Sequence, residues 1–297
     1  MAAVTHRVST PDTGNTPNTS GAIVPASGDL LVVFVTKEAS ALSSPMASAD
    51  LTSSVAPTGF TLIRNQGHRS SVAHIGVFVA DALTVNTTSR TVTIASGSDP
   101  GAGSIIGVLS VSGMTKVGSA AVRGQGGQTD QAAGTPAPAF GAAALTTNPC
   151  VGAIYNATNP AGMTQPASWS EGSDVGYTTG EASGLHTVFR NSGETGTTIT
   201  WGSASASAFA SIILELDQSN PISVTPGIIA LTITAQTPTV TTTNNLTVTP
   251  GIVALSLTAF TPTVSVSTLV VPGIATLTVT AFEPTVTTTQ NQFVTPG

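Results

Sequence analysis

Charge is what this sequence has least of. Asp, Glu, Lys and Arg make up 7% of its 297 residues, against roughly 25% in an average soluble domain. Long helices would lack both their usual Glu and Lys filler and their salt-bridged faces. The eight Lys and Arg are scattered without a cluster, and the formal net charge is −6, with a pI near 5.0. Nucleic-acid binding is therefore not expected, because phosphate neutralisation needs a concentrated basic surface.

Cysteine is nearly absent. A single one, Cys150, excludes an intrachain disulfide and any Cys-based zinc set. It lies in an apolar run and reads as a small buried hydrophobe. Long apolar runs are also missing: nothing approaches the ~18 residues of a membrane-spanning helix, so no membrane insertion is expected. Met1 to Thr10 has no apolar core, so no Sec-type signal is visible. The length suits two domains, or one domain with an appendage, and is ample for a core without staples.

What is present is Thr, Ser, Gly, Ala and Val, a strand-forming composition with hydroxyl groups supplying solubility. Residues 1–27 are rich in Thr, Pro, Asn and Gly and read as an extended arm. Short β runs follow: Leu30 to Val35, Phe60 to Ile63, Ile75 to Val79, Thr91 to Ile94 and Ser104 to Val111. Turn signals such as Gly97-Ser98-Asp99-Pro100-Gly101 separate them. Residues 115–147, including Arg123-Gly124-Gln125-Gly126-Gly127, carry little periodicity and read as a large loop.

The order of features then returns. An apolar strand, a Pro-x-x-aromatic turn, a strand ending in Phe, a Thr-rich strand and an Ile-Ile strand run from 28 to 114. They recur from 148 to 217 as Cys150 to Tyr155, Pro166-Ala167-Ser168-Trp169, His186 to Phe189, Thr197 to Trp201 and Ala210 to Leu214. Two such halves, each a curved sheet without helices to cover it, should pack on each other as a sandwich. The expected fold is all-β: a two-lobed, jelly-roll-like β-sandwich from an internal duplication over 28–217, followed by an extended β-strand repeat tail. Phe60 and Trp169 become core anchors; sugar stacking is the alternative role for Trp169.

From Pro221 the composition shifts, and Glu283 is the one charged side chain to Gly297. Pro226, Pro238, Pro250, Pro262, Pro272, Pro284 and Pro296 punctuate 221–297 at spacings of 12 or, once, 10. Each block is a strand plus a turn: Leu231, Ile233 and Ala235 alternate with Thr232 and Thr234, giving one apolar and one hydroxyl face. Proline at block ends respects its inability to donate inside a ladder. Such strands need a partner for their apolar faces. Three arrangements satisfy them: intertwining of identical chains, wrapping onto a neighbouring protein, or collapse into a small sandwich. The first two fit the regular prolines, and the fourth unit begun at Pro296-Gly297, better than the third.

Chemistry-bearing residues do not assemble into a recognisable motif. His74 and His186 enter equivalent strands, which reads as a shared structural position rather than a metal site. Gly180-Glu181-Ala182-Ser183-Gly184 is not a nucleophile elbow, because the serine is displaced. Glu171 and Asp174 could serve as paired glycosidase carboxylates or calcium ligands, but an acidic turn is the preferred reading. Asn-x-Ser/Thr triplets at Asn18, Asn86, Asn156 and Asn245 follow from Thr and Asn abundance. No residue is assigned a catalytic, cofactor-binding or metal role, the ligand-binding residues are unknown, and the chain is not expected to be an enzyme.

Gly28-Asp29-Leu30-Leu31-Val32, the turns Pro57-Thr58-Gly59-Phe60 and Pro166-Ala167-Ser168-Trp169, and Ser104 to Leu109 resemble jelly-roll-like domains of tailed-phage minor tail and fibre proteins. The tail, with Val248-Thr249-Pro250-Gly251 and Ala259 to Val264, resembles short repeats at the ends of such proteins. The resemblance spans about 28–217 and 221–297. It implies a virion component: a minor tail protein, a fibre or a capsid decoration protein. Expected partners are other virion structural proteins and further copies of the chain through 221–297, a trimer being one oligomer that fibre-like strands could form, and the expected location is the particle surface. The alternative is a glycan-binding adhesin that attaches to a host surface through loops 37–58 or 115–147. Phe60 in place of Trp, and the Ser/Ala-rich insertion before Pro57, depart from the commoner pattern, so no ligand site carries over.

Overall fold

The computed structural model describes residues 2–12, 17–39, 44–70, 72–95, 101–156, 163–177, 183–202 and 208–218. The chain divides into two compact units, Met1–Pro226 and Gly227–Gly297. The Pro-punctuated repeat of 221–297 lies outside the described residues.

Thirteen strands make up the described fold. They are β1 (Ala3–Asp12), β2 (Asn18–Thr19), β3 (Leu30–Ala39), β4 (Leu51–Ser53), β5 (Phe60–His68), β6 (Ala73–Ala80), β7 (Val92–Ile94), β8 (Gly101–Ser112), β9 (Val122–Gln131), β10 (Cys150–Asn156), β11 (Ser170–Tyr177), β12 (Ser183–Arg190) and β13 (Phe209–Leu216). Two short 3-10 turns, Ser48–Asp50 and Gly118–Ala121, are the only helical elements among the described residues. The protein is an all-β sandwich.

Each half of the sequence builds one five-stranded antiparallel sheet, and the first half adds a small three-stranded one of order β2-β7-β4. The first has the order β1-β8-β3-β6-β5 and the second, read from its other edge, β9-β13-β10-β12-β11. Counting only its own five strands in chain order, each of these sheets runs first, fifth, second, fourth, third. A β-bulge recurs at the same place: between Leu62 and Arg64 against β6, and between Glu171 and Ser173 against β12. Phe60 and Trp169 both stand two residues before the pair that opens the bulge. Shared strand order and a shared bulge make the internal duplication a property of the fold as well as of the sequence.

The central strands are apolar on both faces because both are covered. Leu30 to Val35 in β3 have no solvent exposure. The face carrying Val32, Phe34 and Thr36 looks onto the second sheet: a Cβ on Gly107, opposite Phe34, would lie 3.3 Å from Leu185 and 3.1 Å from Thr187. Val151, Ala153, Tyr155, Ile212 and Leu214 answer from the second sheet in the same cluster. On the far side of the first sheet, Gly76 leaves room for Met46. On the far side of the second, Cys150, Ile154, Val188 and Ile213 pack under Phe140, Met163, Trp169 and Trp201.

The halves are wider than the sequence reading drew them. The arm of 1–27 contains β1, which pairs with β8, and the loop of 115–147 contains β9, which pairs with β13. Both are edge strands, so neither needs a continuous apolar run. In β9 the close-packed positions are filled by glycine: a Cβ on Gly126 would fall 2.0 Å from the carbonyl oxygen of Ala139. The expected acidic turn around Glu171 and Asp174 is also a strand, β11, which Gly172 bulges rather than reverses.

Candidate functional site

Polar chemistry concentrates where the two sheets meet at one end of the sandwich. β3 runs out of apolar residues at Thr36-Lys37-Glu38, and the alternation of the strand aims Glu38 inward. Its carboxylate is 1% exposed. Oε2 accepts hydrogen bonds from Tyr155 Oη at 2.6 Å and Ser183 Oγ at 3.1 Å, both from the second sheet. Oε1 pairs with the guanidinium of Arg69. Arg69 and Ser70 both have φ of 54°, so the chain turns through two consecutive left-handed residues there. A charge buried without such partners would cost several kcal/mol (on the order of 3–5).

His68 occupies the same layer. It is wholly buried, neither ring nitrogen makes a hydrogen bond, and its ring meets Tyr155 edge-on at 5.1 Å. Burial pushes its pKa down to about 4, helped by Arg69 and opposed by Asp130 and Glu38. At neutral pH it is therefore an uncharged imidazole.

Next along the same face of β5 come Gln66 and Arg64, opposite Ile75 and Val77. In the orientation that satisfies both ends of its amide, Gln66 accepts from Arg64 Nε at 2.5 Å and Nη2 at 2.8 Å while its nitrogen donates to Thr129 Oγ1 of β9. Gln66 is 7% exposed, whereas Thr129 faces solvent. Asp130 accepts from the Ser70 N–H at 3.1 Å.

The residues singled out from sequence are dispersed. Trp169 is 5% exposed and donates its indole N–H to Glu194 at 2.9 Å, so it is a core anchor without a free stacking face. Burial pushes the Glu194 pKa up, but the N–H groups of Gly196, Trp169 and Thr195 and the charge of Arg190 outweigh it, and the net shift is downward. Cys150 is fully buried and its thiol is pushed upward by burial and by Glu215.

The Gly172 bulge puts Glu171 and Asp174 on one face, opposite Val188 and His186. Asp174 already accepts from the Met163 N–H at 3.1 Å. His74 and His186 do not share a position. Counted from the bulge pairs at Phe78 and Val188, they lie four and two residues away. Their partners differ accordingly: Asn65 meets His74 Nδ1 at 2.9 Å, whereas Trp201 donates to His186 Nδ1 at 3.2 Å. Ser183, displaced in its sequence motif, is a ligand of Glu38. Asn18 and Asn156 are buried. Asn86 accepts from Arg90 at 3.4 Å, and Asn245 lies outside the described residues.

Among the described residues, no group of three or more His, Cys, Asp or Glu has the geometry to hold a metal ion. A depression of about 160 Å³ lies between the β5 bulge and β9, lined by Leu62, Ile63, Ser119, Val122 and Arg123. That is below the ~300 Å³ of an ordinary small-molecule site, and its Arg123 is already engaged by Glu215 at 2.5 Å. No protein family, curated protein or solved structure matches the chain.

The Glu38 cluster was not legible in advance. Glu38 and Tyr155 are 117 positions apart in sequence, and only the facing of two duplicated sheets brings them together.

Proposed function

We propose that this chain is a non-enzymatic structural component of a tailed-phage particle: a tail fibre, minor tail or capsid decoration protein that displays its sandwich and assembles through 221–297. One observation carries the reading. Seventy-seven residues with a single charge, cut into strand-length blocks by proline, present apolar faces that isolated hairpins cannot bury, directly after a sandwich whose two sheets are each covered on both sides. The sandwich has its own cover, whereas the alternating pattern of the repeat calls for a partner, which suits assembly through 221–297.

Light scattering of the full chain beside a chain ending at Asn220 tests the assembly. Oligomeric full chain with monomeric shorter chain is the expected result. Two monomers would remove self-assembly and leave docking onto another virion protein. Absence of the protein from purified particles that encode it would remove the virion role altogether.

A further inference from the structure

We propose that Thr129 and Gln66 form an intramolecular ester that links the two sheets covalently, closing the sandwich between edge strands β9 and β5. The nucleophile already touches the group it would attack: Thr129 Oγ1 meets the carboxamide nitrogen of Gln66, one bond from the electrophilic Cδ, across the sheet interface. Arg64 holds the Gln66 oxygen through two N–H groups at 2.5 and 2.8 Å, where negative charge would develop when the carbonyl is attacked. Gly127 makes the approach feasible. A Cβ there would lie 2.5 Å from the end of the Gln66 side chain and 2.8 Å from Arg64 Nε, so any larger residue would push β9 away.

The step balances without a co-reactant. Thr129 Oγ1 bonds to Gln66 Cδ to give a tetrahedral centre, and the C–N bond of the amide then breaks. The hydroxyl proton ends on the departing nitrogen, which leaves as ammonia. Hydroxyl plus carboxamide thus becomes ester plus ammonia. His68, two residues on and on the same face, is the neutral base of this layer, with both ring nitrogens unbonded. Groups held in contact react with effective molarities of about 10⁵–10⁸ M, and escape of ammonia past exposed Thr129 draws the reaction forward. The buried Gln66 carbonyl is shielded from water that would hydrolyse the ester to a glutamate and a free threonine. Such a link would give this chain, with its lone cysteine, the cross-brace that a disulfide gives others.

Intact-mass spectrometry of the denatured full chain reads the reaction directly. The expected mass is that of the sequence less one ammonia. Trypsin should release Asn65–Arg69 joined to Gly124–Arg190, with hydroxylamine separating them. Thr129→Val should restore the full sequence mass and Thr129→Ser should keep the deficit; both sit at an exposed position and leave the core untouched. A full-mass wild-type chain whose two peptides run separately overturns the proposal. So does a deficit that persists in Thr129→Val, because it would then arise elsewhere, as from an Asn succinimide.

Discussion

Tyr155 of one sheet and Glu38 of the other share a hydrogen bond of 2.6 Å in a layer from which water is excluded. The acceptor is a carboxylate that also pairs with the guanidinium of Arg69, so this bond is of the charge-assisted kind, about 1.5–3 kcal/mol where a neutral pair would contribute about 1.

Tyr155→Phe keeps the ring and its edge-on contact with His68 and removes only the hydroxyl. The expected loss is about 2 kcal/mol of unfolding free energy in urea, with an unchanged dependence on denaturant. Ser183 and Arg69 remain on Glu38 and limit the damage. A variant as stable as the parent would mean that Tyr155 Oη contributes nothing net to holding the sheets together.

The fold was legible where its physics is local. Continuous apolar strands such as Leu30 to Val35, and the Pro-x-x-aromatic turns before Phe60 and Trp169, announce buried strands and their order, and the repetition of that order announces two sheets. What stayed hidden depends on close approach. β9 carries glycines where the backbone of Ala139 and the side chains of Arg64 and Gln66 come near, so its strand character leaves no apolar alternation to read. Glu38, His68 and Gln66 look like ordinary polar residues at strand ends. Their burial follows from which face each bulge and turn presents to the opposite sheet, and that is a long-range property.

Acid should weaken the fold through its buried imidazoles. His68 and His186 are each held near pKa 4 by burial, against about 6.5 in an unfolded chain. The unfolded state therefore takes up protons first as pH falls, and stability drops from about pH 6.5 until both folded groups titrate near 4. At pH 5 the loss is about 2 kcal/mol for each histidine. Most carboxylates are still ionised there, so the window from 6.5 to 5 isolates the imidazoles. Urea midpoints across that range test it. His68→Leu should flatten the slope by roughly half, whereas a parent curve already flat from pH 6.5 to 5 would rule out buried neutral imidazoles.

Gly126 is where β9 meets the segment that roofs the outer face of the second sheet. A Cβ at this position would stand 2.0 Å from the oxygen and 2.6 Å from the carbon of the Ala139 carbonyl, both backbone atoms. No rotamer relieves that contact, so Gly126→Ala must move either β9 or the roof. The roof is held by N–H groups of Ile199 and Trp201 donating to Pro138 and Pro136, each at 3.0 Å, and it covers Trp201, which is 1% exposed. The expected result is a loss of about 2–3 kcal/mol, with tryptophan emission shifted to the red as Trp201 is uncovered. Gly134→Ala and Gly141→Ala are the controls, because a Cβ at either meets nothing within 4 Å. Equal stability for all three variants would show that β9 and the roof are not packed together as closely as these distances require.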